Sequence, residues 1–248
     1  MLTKGVPAHK LAPHVGNSGD GTMVRSHFDH EPLARRAPPE KDRVNAAGLP
    51  ADSARQALVS ALTGVFEKPL APLQGQAVLH PNGFAKLPVA ELTDGSRRLF
   101  LHVWLRDGED SHIHNHRWDF TSTVLRGSIR NTVVEVGPDG DGPSYAVVRH
   151  RPSEGGFRFD RSEGSPVGII GQHTVIHAER AEYAMDALTL HRVQAVGGTM
   201  TLVMRGSPRR PWSEVLLDST PKEGARRMEP LNDIDRGRYL RTALEVLW

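Results

Sequence analysis

Short strand-like segments separated by turn residues dominate the middle of the sequence. Between about residue 75 and residue 206, stretches rich in Val, Leu, Phe and Thr alternate with Gly, Pro and Asp, as in "RRLFLHVWL", "DFTSTVL", "ALTLHRVQA" and "TMTLVMR". Their spacing is close to the roughly 8–12 residues typical of β-sandwiches and barrels. No segment with helical periodicity separates them, so a parallel βαβ sheet is not expected.

The segments on either side of this β-rich region have a different character. Residues 1–50 are rich in Pro, Gly, Arg and Glu without a sustained period, which predicts an irregular N-terminal arm. Residues 51–74 carry apolar residues at helical spacing, so we expect a helix that packs on a barrel. We place the barrel itself at residues 75–213 and a C-terminal helical extension at residues 214–248.

The composition of the chain excludes several classes of protein and limits the residues that can bind a metal. The net charge is only +2, and the arginine doublets are scattered, so a nucleic-acid partner is not expected. The chain has no cysteine, which excludes disulfides and leaves only His, Asp and Glu as strong metal ligands. No signal-peptide-like start and no apolar run of about 18 residues is present, so we expect a cytoplasmic protein with no membrane partner.

The stretch "DGEDSHIHNHRWDFTSTVLRG" carries three histidines at alternate positions, His112, His114 and His116. Alternate residues of a strand share one face, so the three imidazoles are expected to point the same way. Two imidazoles at His-x-His spacing on a strand can bind one metal ion. Three histidines at this period in a β-rich chain therefore indicate a metal site.

The same stretch resembles the first motif of the cupin superfamily. In that motif, a Gly is followed after five residues by His-x-His. After three or four more residues comes a position that is usually Glu, and after a further six residues a second Gly. Gly108, His114, His116 and Gly127 lie on this spacing, and Phe120 stands at the position that usually carries the acid.

A second register of the motif remains open at this point. It uses His112 and His114 as the metal ligands and Asp119 as the acid, but it loses both glycine spacings.

About residues 99–213 resemble a group of small bacterial cupins. The resemblance rests on the segments "HNHRWDF" and "VLRG" and on the later "LHRVQAVGGTMTLVMRGSPRRPW". The resemblance implies that His191 is the third metal ligand, and the alternation of "ALTLHRV" can point it inward. His173 and His177 compete for this role. Arg117 departs from the group, which often has Pro there.

The resemblance implies a mainly β fold, a cupin-type double-stranded β-helix (jelly-roll) barrel with flanking N- and C-terminal helices. A three-histidine site without an acid resembles the thiol dioxygenases of this superfamily. That implies a metal-dependent dioxygenase with Fe(II), or Ni(II) or another divalent metal, and O2 as co-substrate. The expected substrate is a small polar molecule, with L-cysteine or a related thiol or amino acid as the sharpest expectation, and the resemblance favours a homodimer.

Several further residues are expected to bind substrate or to support the ligands: His112, Phe120, Arg126, His102, Trp104 and Tyr183. Arg126 shares strand parity with the histidines and can bind a carboxylate if its strand runs unbroken, whereas Arg192 faces the other way. Two other functions stay open. One is a non-redox isomerase, epimerase or lyase that uses the metal as a Lewis acid, and the other is a metal- or ligand-binding module without turnover.

Overall fold

A computed structural model describes most of the chain beyond the predicted arm; residues 1–50, on which the arm was predicted, lie outside it. The described ranges are 51–109, 112–138, 141–153, 156–161, 165–218 and 226–247. In chain order the elements are α1 (Ala51–Thr63), β1 (Leu70–Pro72), β2 (Val78–Leu79), β3 (Phe84–Leu92), β4 (Arg98–Trp104), β5 (Gly108–Glu109), β6 (Ile113–His114), β7 (Phe120–Arg126), β8 (Ser128–Gly137), β9 (Asp141–Ser153), β10 (Gly156–Arg161), β11 (Val167–Ala178), β12 (Glu182–Met185), β13 (His191–Ala195), β14 (Met200–Arg205), β15 (Ser213–Leu217), β16 (Arg226–Arg227), β17 (Glu229–Pro230) and α2 (Asp233–Val246).

The strands form two antiparallel sheets. In the described part of the chain, the first sheet has eight strands in the order β12-β7-β14-β4-β3-β2-β17, with β1 paired to β3. The second has nine strands in the order β11-β8-β13-β6-β15-β9-β10-β16, with β5 paired to β13. Chain neighbours such as β6 and β7 belong to different sheets, as in a jelly roll. The predicted mainly β fold with a helix at each end is confirmed.

Each face of the first sheet is covered by a different part of the protein. On one face, Leu87, Leu101 and Leu202 form a buried cluster with Leu58 of α1 and Leu240 of α2. Burial of these apolar side chains, each contributing about 1.5–3 kcal/mol, fixes the helices on the barrel.

The other face of the first sheet points towards the second sheet. Lys86 on β3 lies opposite His102 on β4, and His102 lies opposite Thr201 on β14. Because directly opposed residues share a face, this row of polar side chains lies on the inside of the sandwich.

The observed elements differ in two places from the boundaries predicted from the sequence. Helix α1 ends at Thr63, before the predicted 74, because Gly64 takes a positive φ of 74° and its amide donates to the carbonyl of Ser60 at 2.8 Å, an ending typical of helices. Strand β15 continues to Leu217, beyond residue 213, and pairs with β6 and β9. Neither helix in the described ranges is long and apolar enough to cross a membrane.

Candidate metal centre and its cavity

A cavity of about 220 Å³ lies between the two sheets and is lined by both. It is smaller than the roughly 300–1,000 Å³ of sites that hold drug-sized ligands, so it fits a small molecule. Aromatic rings and histidines make up much of its wall. Among the residues that the structure describes, those that line it include lysine and arginine but no aspartate or glutamate.

Three histidines converge on this cavity, two from the second sheet and one from the connection that follows β6. His114 ends β6 and lies directly opposite His191, which begins β13, while His116 follows in the connection to β7. One ring nitrogen from each residue lies within 4.8 Å of the others, and this is the group of potential ligands that the described residues form. The structure thus brings together the three residues that the sequence predicts as ligands.

Hydrogen bonds at Nδ1 determine which nitrogen faces the cavity in two of the three rings. Nδ1 of His114 donates to the carbonyl of His112 over 3.1 Å, and Nδ1 of His191 donates to the side-chain oxygen of Asn131 over 2.8 Å. Both acceptors lack a proton, so each Nδ1 carries one and each Nε2 keeps its lone pair. Metal-binding histidines are usually held in this way.

The separation of two Nε2 atoms fits a single ion. Nε2 of His116 lies 2.8 Å from Nε2 of His191. Two nitrogens that bind one metal at 2.0–2.1 Å and at right angles are about 2.8–3.0 Å apart.

The protonation state of these rings is also the one that a metal requires. Burial lowers the pKa of His116 well below its usual value, and repulsion from His114 and His191 lowers it further. Burial, followed by repulsion from His114, does the same to the pKa of His191. Both rings are therefore neutral at pH 7, which is the ligand form of imidazole.

The backbone around His116 is held by residues that the sequence analysis missed. The carbonyl of His116 accepts from Nε of Arg210 at 3.2 Å, and its amide donates to the carbonyl of Ala187 at 3.1 Å. Nη1 of Arg210 also donates to Glu214 at 3.2 Å, and the same carboxylate accepts from the buried amide of Asn115 at 2.7 Å. Arg210 lies in "RRPW", the end of the segment that resembles the small bacterial cupins.

Phe120, at the position where an acid usually stands, packs edge-on against His116 with ring centroids 4.9 Å apart. Asp119 points elsewhere: it is exposed, accepts from the amide of Ala187 at 2.7 Å and pairs with Arg209 at 2.9 Å. The second register, with Asp119 as the acid, is therefore wrong. The three-histidine group has no carboxylate among the described residues.

Most of the predicted supporting residues line the cavity, namely His102, Trp104, His112, Phe120 and Tyr183. The competing histidines do not join the group. His177 stacks on the ring of Tyr183 with centroids 4.2 Å apart, and His173 is exposed on β11.

Arg126 does not reach the cavity, and the prediction that it does is wrong. Its Nε donates to the carbonyl of Gly198 at 3.2 Å, and the side chain is exposed. A bulge in β7 is the cause, since Thr201 of β14 pairs with Val124 but Met200 pairs with Arg126. The extra residue changes the strand parity and turns Arg126 towards the side of the buried Met200.

Lys86 and Arg205 are described cations that line the cavity from the first sheet, and neither was predicted from the sequence. Burial and, secondarily, repulsion from Arg205 lower the pKa of Lys86 to about 7. Burial, with repulsion from Arg98 and Arg117, lowers the pKa of Arg205 to about 10. A lysine in a strand is ordinarily expected to be exposed. The position of Lys86 on the cavity wall follows from its pairing with His102 of the neighbouring strand.

Comparison with known proteins adds structural likenesses at low identity. No protein-family model and no curated protein matches the sequence. An RmlC-like cupin from Shewanella frigidimarina is similar at 9% identity and a TM-score of 0.34, over 57% of this chain and 96% of that chain. KdgF from Halomonas sp. is similar at 12% identity and a TM-score of 0.32, over 55% of this chain and 88% of that chain.

A third similar structure is that of oxalate decarboxylase from Bacillus subtilis, with 12% identity and a TM-score of 0.37, over 60% of this chain and 32% of that chain. At these values the likenesses carry no inference about activity. The class is defined by the molecule itself: a jelly-roll-like β-sandwich with three histidines that converge on a cavity between its two sheets.

Proposed function

We propose that this protein is a mononuclear metal-dependent oxygenase that acts on a small polar molecule, with cysteine or a related thiol or amino acid as the first substrate to test. The observation that carries the proposal is the convergence of His114, His116 and His191 without a carboxylate. Such a ligand set adds no negative charge and leaves coordination positions open for substrate and dioxygen.

The donor set fits a divalent ion of the imidazole-binding metals, which include Fe, Ni, Cu and Zn. Two Nε2 lone pairs face the cavity, and the 2.8 Å separation between His116 and His191 suits one ion. When bound, an ion such as Fe(II) supplies Lewis acidity and the electron-transfer chemistry that a reaction with dioxygen needs.

The chain's own residues prepare the cavity for this chemistry. Asn131 holds the ring of His191 through its Nδ1 proton, and Arg210 holds the backbone of His116. Trp104 and Phe120 contribute buried apolar walls to the cavity, and such walls limit the water beside a bound substrate. Exclusion of water strengthens every electrostatic contact of a bound substrate.

The test starts from protein purified without a histidine tag, stripped with a chelator and reloaded separately with Fe(II), Ni(II), Mn(II) or Zn(II). Metal per chain is measured, followed by dioxygen uptake with cysteine, other small thiols and amino acids. We expect one ion per chain and substrate-dependent oxygen uptake with Fe(II) or Ni(II). Equal turnover under nitrogen would instead assign a non-redox enzyme, and binding without any turnover a ligand-binding module.

A matched pair of variants controls for the histidines in general. His191→Ala removes one ligand and is expected to lose the metal, whereas His173→Ala removes an exposed histidine of β11 and is expected to keep it. Equal metal content in the two variants would contradict the proposed site.

A further inference from the structure

The wall of the cavity opposite the histidine group carries cations on the first sheet. Lys86 on β3 lies opposite His102 on β4, and Arg205 ends β14. All three line the cavity, and in the described part of the chain no acidic residue lines it with them.

The two cations have aromatic neighbours in place of carboxylates. Nζ of Lys86 lies 4.7 Å from the ring centroid of Phe100, and the guanidinium of Arg205 lies 4.4 Å from the same centroid and 4.3 Å from that of Trp118. The ion pairs of the described residues include neither Lys86 nor Arg205. Since no acidic side chain among the described residues pairs with these two cations, their positive charge is available to bind an anionic ligand.

His102 adds a third group to the same place. Its Nε2 is buried and has no hydrogen-bond partner in the described structure. Buried polar atoms nearly always have a partner, so an orphaned nitrogen on a cavity wall indicates a ligand atom. Lys86 and His102 line the same cavity as the three histidines.

We propose that Lys86 and Arg205, assisted by His102, bind the oxyanion group of the substrate, so that the substrate is a small carboxylate, phosphonate or phosphate whose other end reaches the three histidines. This inference rests on the proposed function for the role of the histidine end, but the anion site itself does not require a metal. The cavity of about 220 Å³ restricts the ligand to a short molecule that spans the two sheets.

Arg117 does not carry the same role, although it also lines the cavity. Its Nε donates to the carbonyl of Arg210 at 3.4 Å, so it already has a partner. Burial lowers the pKa of Lys86 to about 7, and a bound anion offsets this effect by stabilising the ammonium form.

The experiment measures anion binding to metal-free protein by calorimetry near pH 6, at low ionic strength. The probes are acetate, methylphosphonate and inorganic phosphate, with acetamide as the neutral analogue of acetate. We expect at least one anion to bind and acetamide not to bind. The tightest of the three anions then identifies which oxyanion the substrate carries.

Variants test the residues. Lys86→Met and Arg205→Met are each expected to weaken binding of that anion about tenfold or more, since charge-assisted hydrogen bonds are the strong ones. Lys86→Arg keeps the charge and is expected to retain binding, and Arg126→Met removes an exposed cation outside the cavity and is expected to change nothing. Circular dichroism establishes that each variant is folded.

The outcomes separate this inference from the proposed function. Absence of anion binding to the wild type, or equal affinity in the wild type, Lys86→Met and Arg205→Met, overturns the anion site even if the protein binds a metal. Conversely, Lys86-dependent anion binding by a protein that takes up no metal supports the anion site and overturns the proposed function.

Discussion

The side-chain oxygen of Asn131 lies 2.8 Å from Nδ1 of His191, and both residues are buried. Asn131 is on β8 and His191 on the neighbouring β13, so the contact joins two strands of one sheet. The amide oxygen accepts the Nδ1 proton, which leaves the Nε2 lone pair directed at the cavity. A residue on the neighbouring strand thus determines how a predicted metal ligand presents its donor atom.

Asn131→Ala is expected to weaken metal binding about 10- to 100-fold, because the imidazole loses the acceptor that holds its tautomer and orientation. Asn131→Asp keeps an acceptor at this place and should bind metal nearly as well as the wild type. Competition with a chromophoric chelator measures both affinities. An Asn131→Ala variant with undiminished affinity would show that His191 is held by other contacts.

The stability of the metal-free protein is expected to fall as the pH decreases below about 6.5. Burial is the main cause of the lowered pKa values of His102, His116 and His191. The unfolded chain therefore takes up protons below its ordinary histidine pKa while the folded chain does not, and each residue costs up to about 1.4 kcal/mol per pH unit. The measurement is the free energy of unfolding in urea between pH 7 and 5.

His102→Leu provides the control for this pH dependence, since it removes one of the three buried rings and binds no metal in the proposed site. The free energy of unfolding of this variant is expected to fall less steeply as the pH decreases, because one fewer proton is taken up on unfolding. A slope identical to that of the wild type would contradict the neutral state of His102.

Lys86→Met is expected to stabilise the protein at pH 7 by about 1–3 kcal/mol, because it removes a half-buried cation that has no acidic partner among the described residues. The pKa of Lys86 is about 7 in the folded protein against 10.5 in its ordinary state. The folded protein therefore carries the full cost below pH 7, and the cost declines as the pH rises towards 10.5.

Unfolding in urea at pH 7 and pH 10 tests this expectation, with Arg126→Met as the exposed control. The gain of Lys86→Met should be smaller at pH 10. The charge of Arg205, in the same sheet, also acts on Lys86. If Lys86→Met instead lowered the free energy of unfolding at pH 7, Lys86 would be a residue that stabilises the fold, which contradicts the expectation that it destabilises the protein in the absence of a ligand.

Gly127→Ala is expected to destabilise the protein by about 2 kcal/mol or more. Gly127 has a φ of 80°, and an added Cβ would lie 2.5 Å from Oγ1 and 3.2 Å from Cα of Thr199. Gly142 has a φ of 85° with open space around it, so Gly142→Ala reports the backbone strain alone. Thermal unfolding of the two variants separates the steric clash with Thr199 from the backbone strain. An equal loss of stability in both would show that Thr199 moves aside at little cost.

The sequence predicted much of the fold and the ligand group because both depend on local patterns. Strand-length apolar segments with turn residues indicated the two sheets, and period 2 with the glycine spacing selected His114 and His116 over His112. His191 was found through alternation and resemblance, and the structure places it directly opposite His114.

The other features of the site depend on contacts between strands that are distant in the chain. The bulge that removes Arg126 from the cavity appears only in the pairing of β7 with β14. Asn131 and Lys86 acquire their significance from His191 and His102, which lie on neighbouring strands. Strand parity alone cannot show a bulge or the identity of a neighbour across a sheet.

The two sheets divide the cavity's chemistry between separate parts of the fold. His114 and His191 belong to the second sheet, whereas Lys86 and Arg205 belong to the first. Residues of one sheet can be exchanged without disturbing the hydrogen-bonded ladder of the other. Under the proposed function, substitutions in the first sheet would alter substrate choice and leave the three histidines in place, for a designer and for natural selection alike.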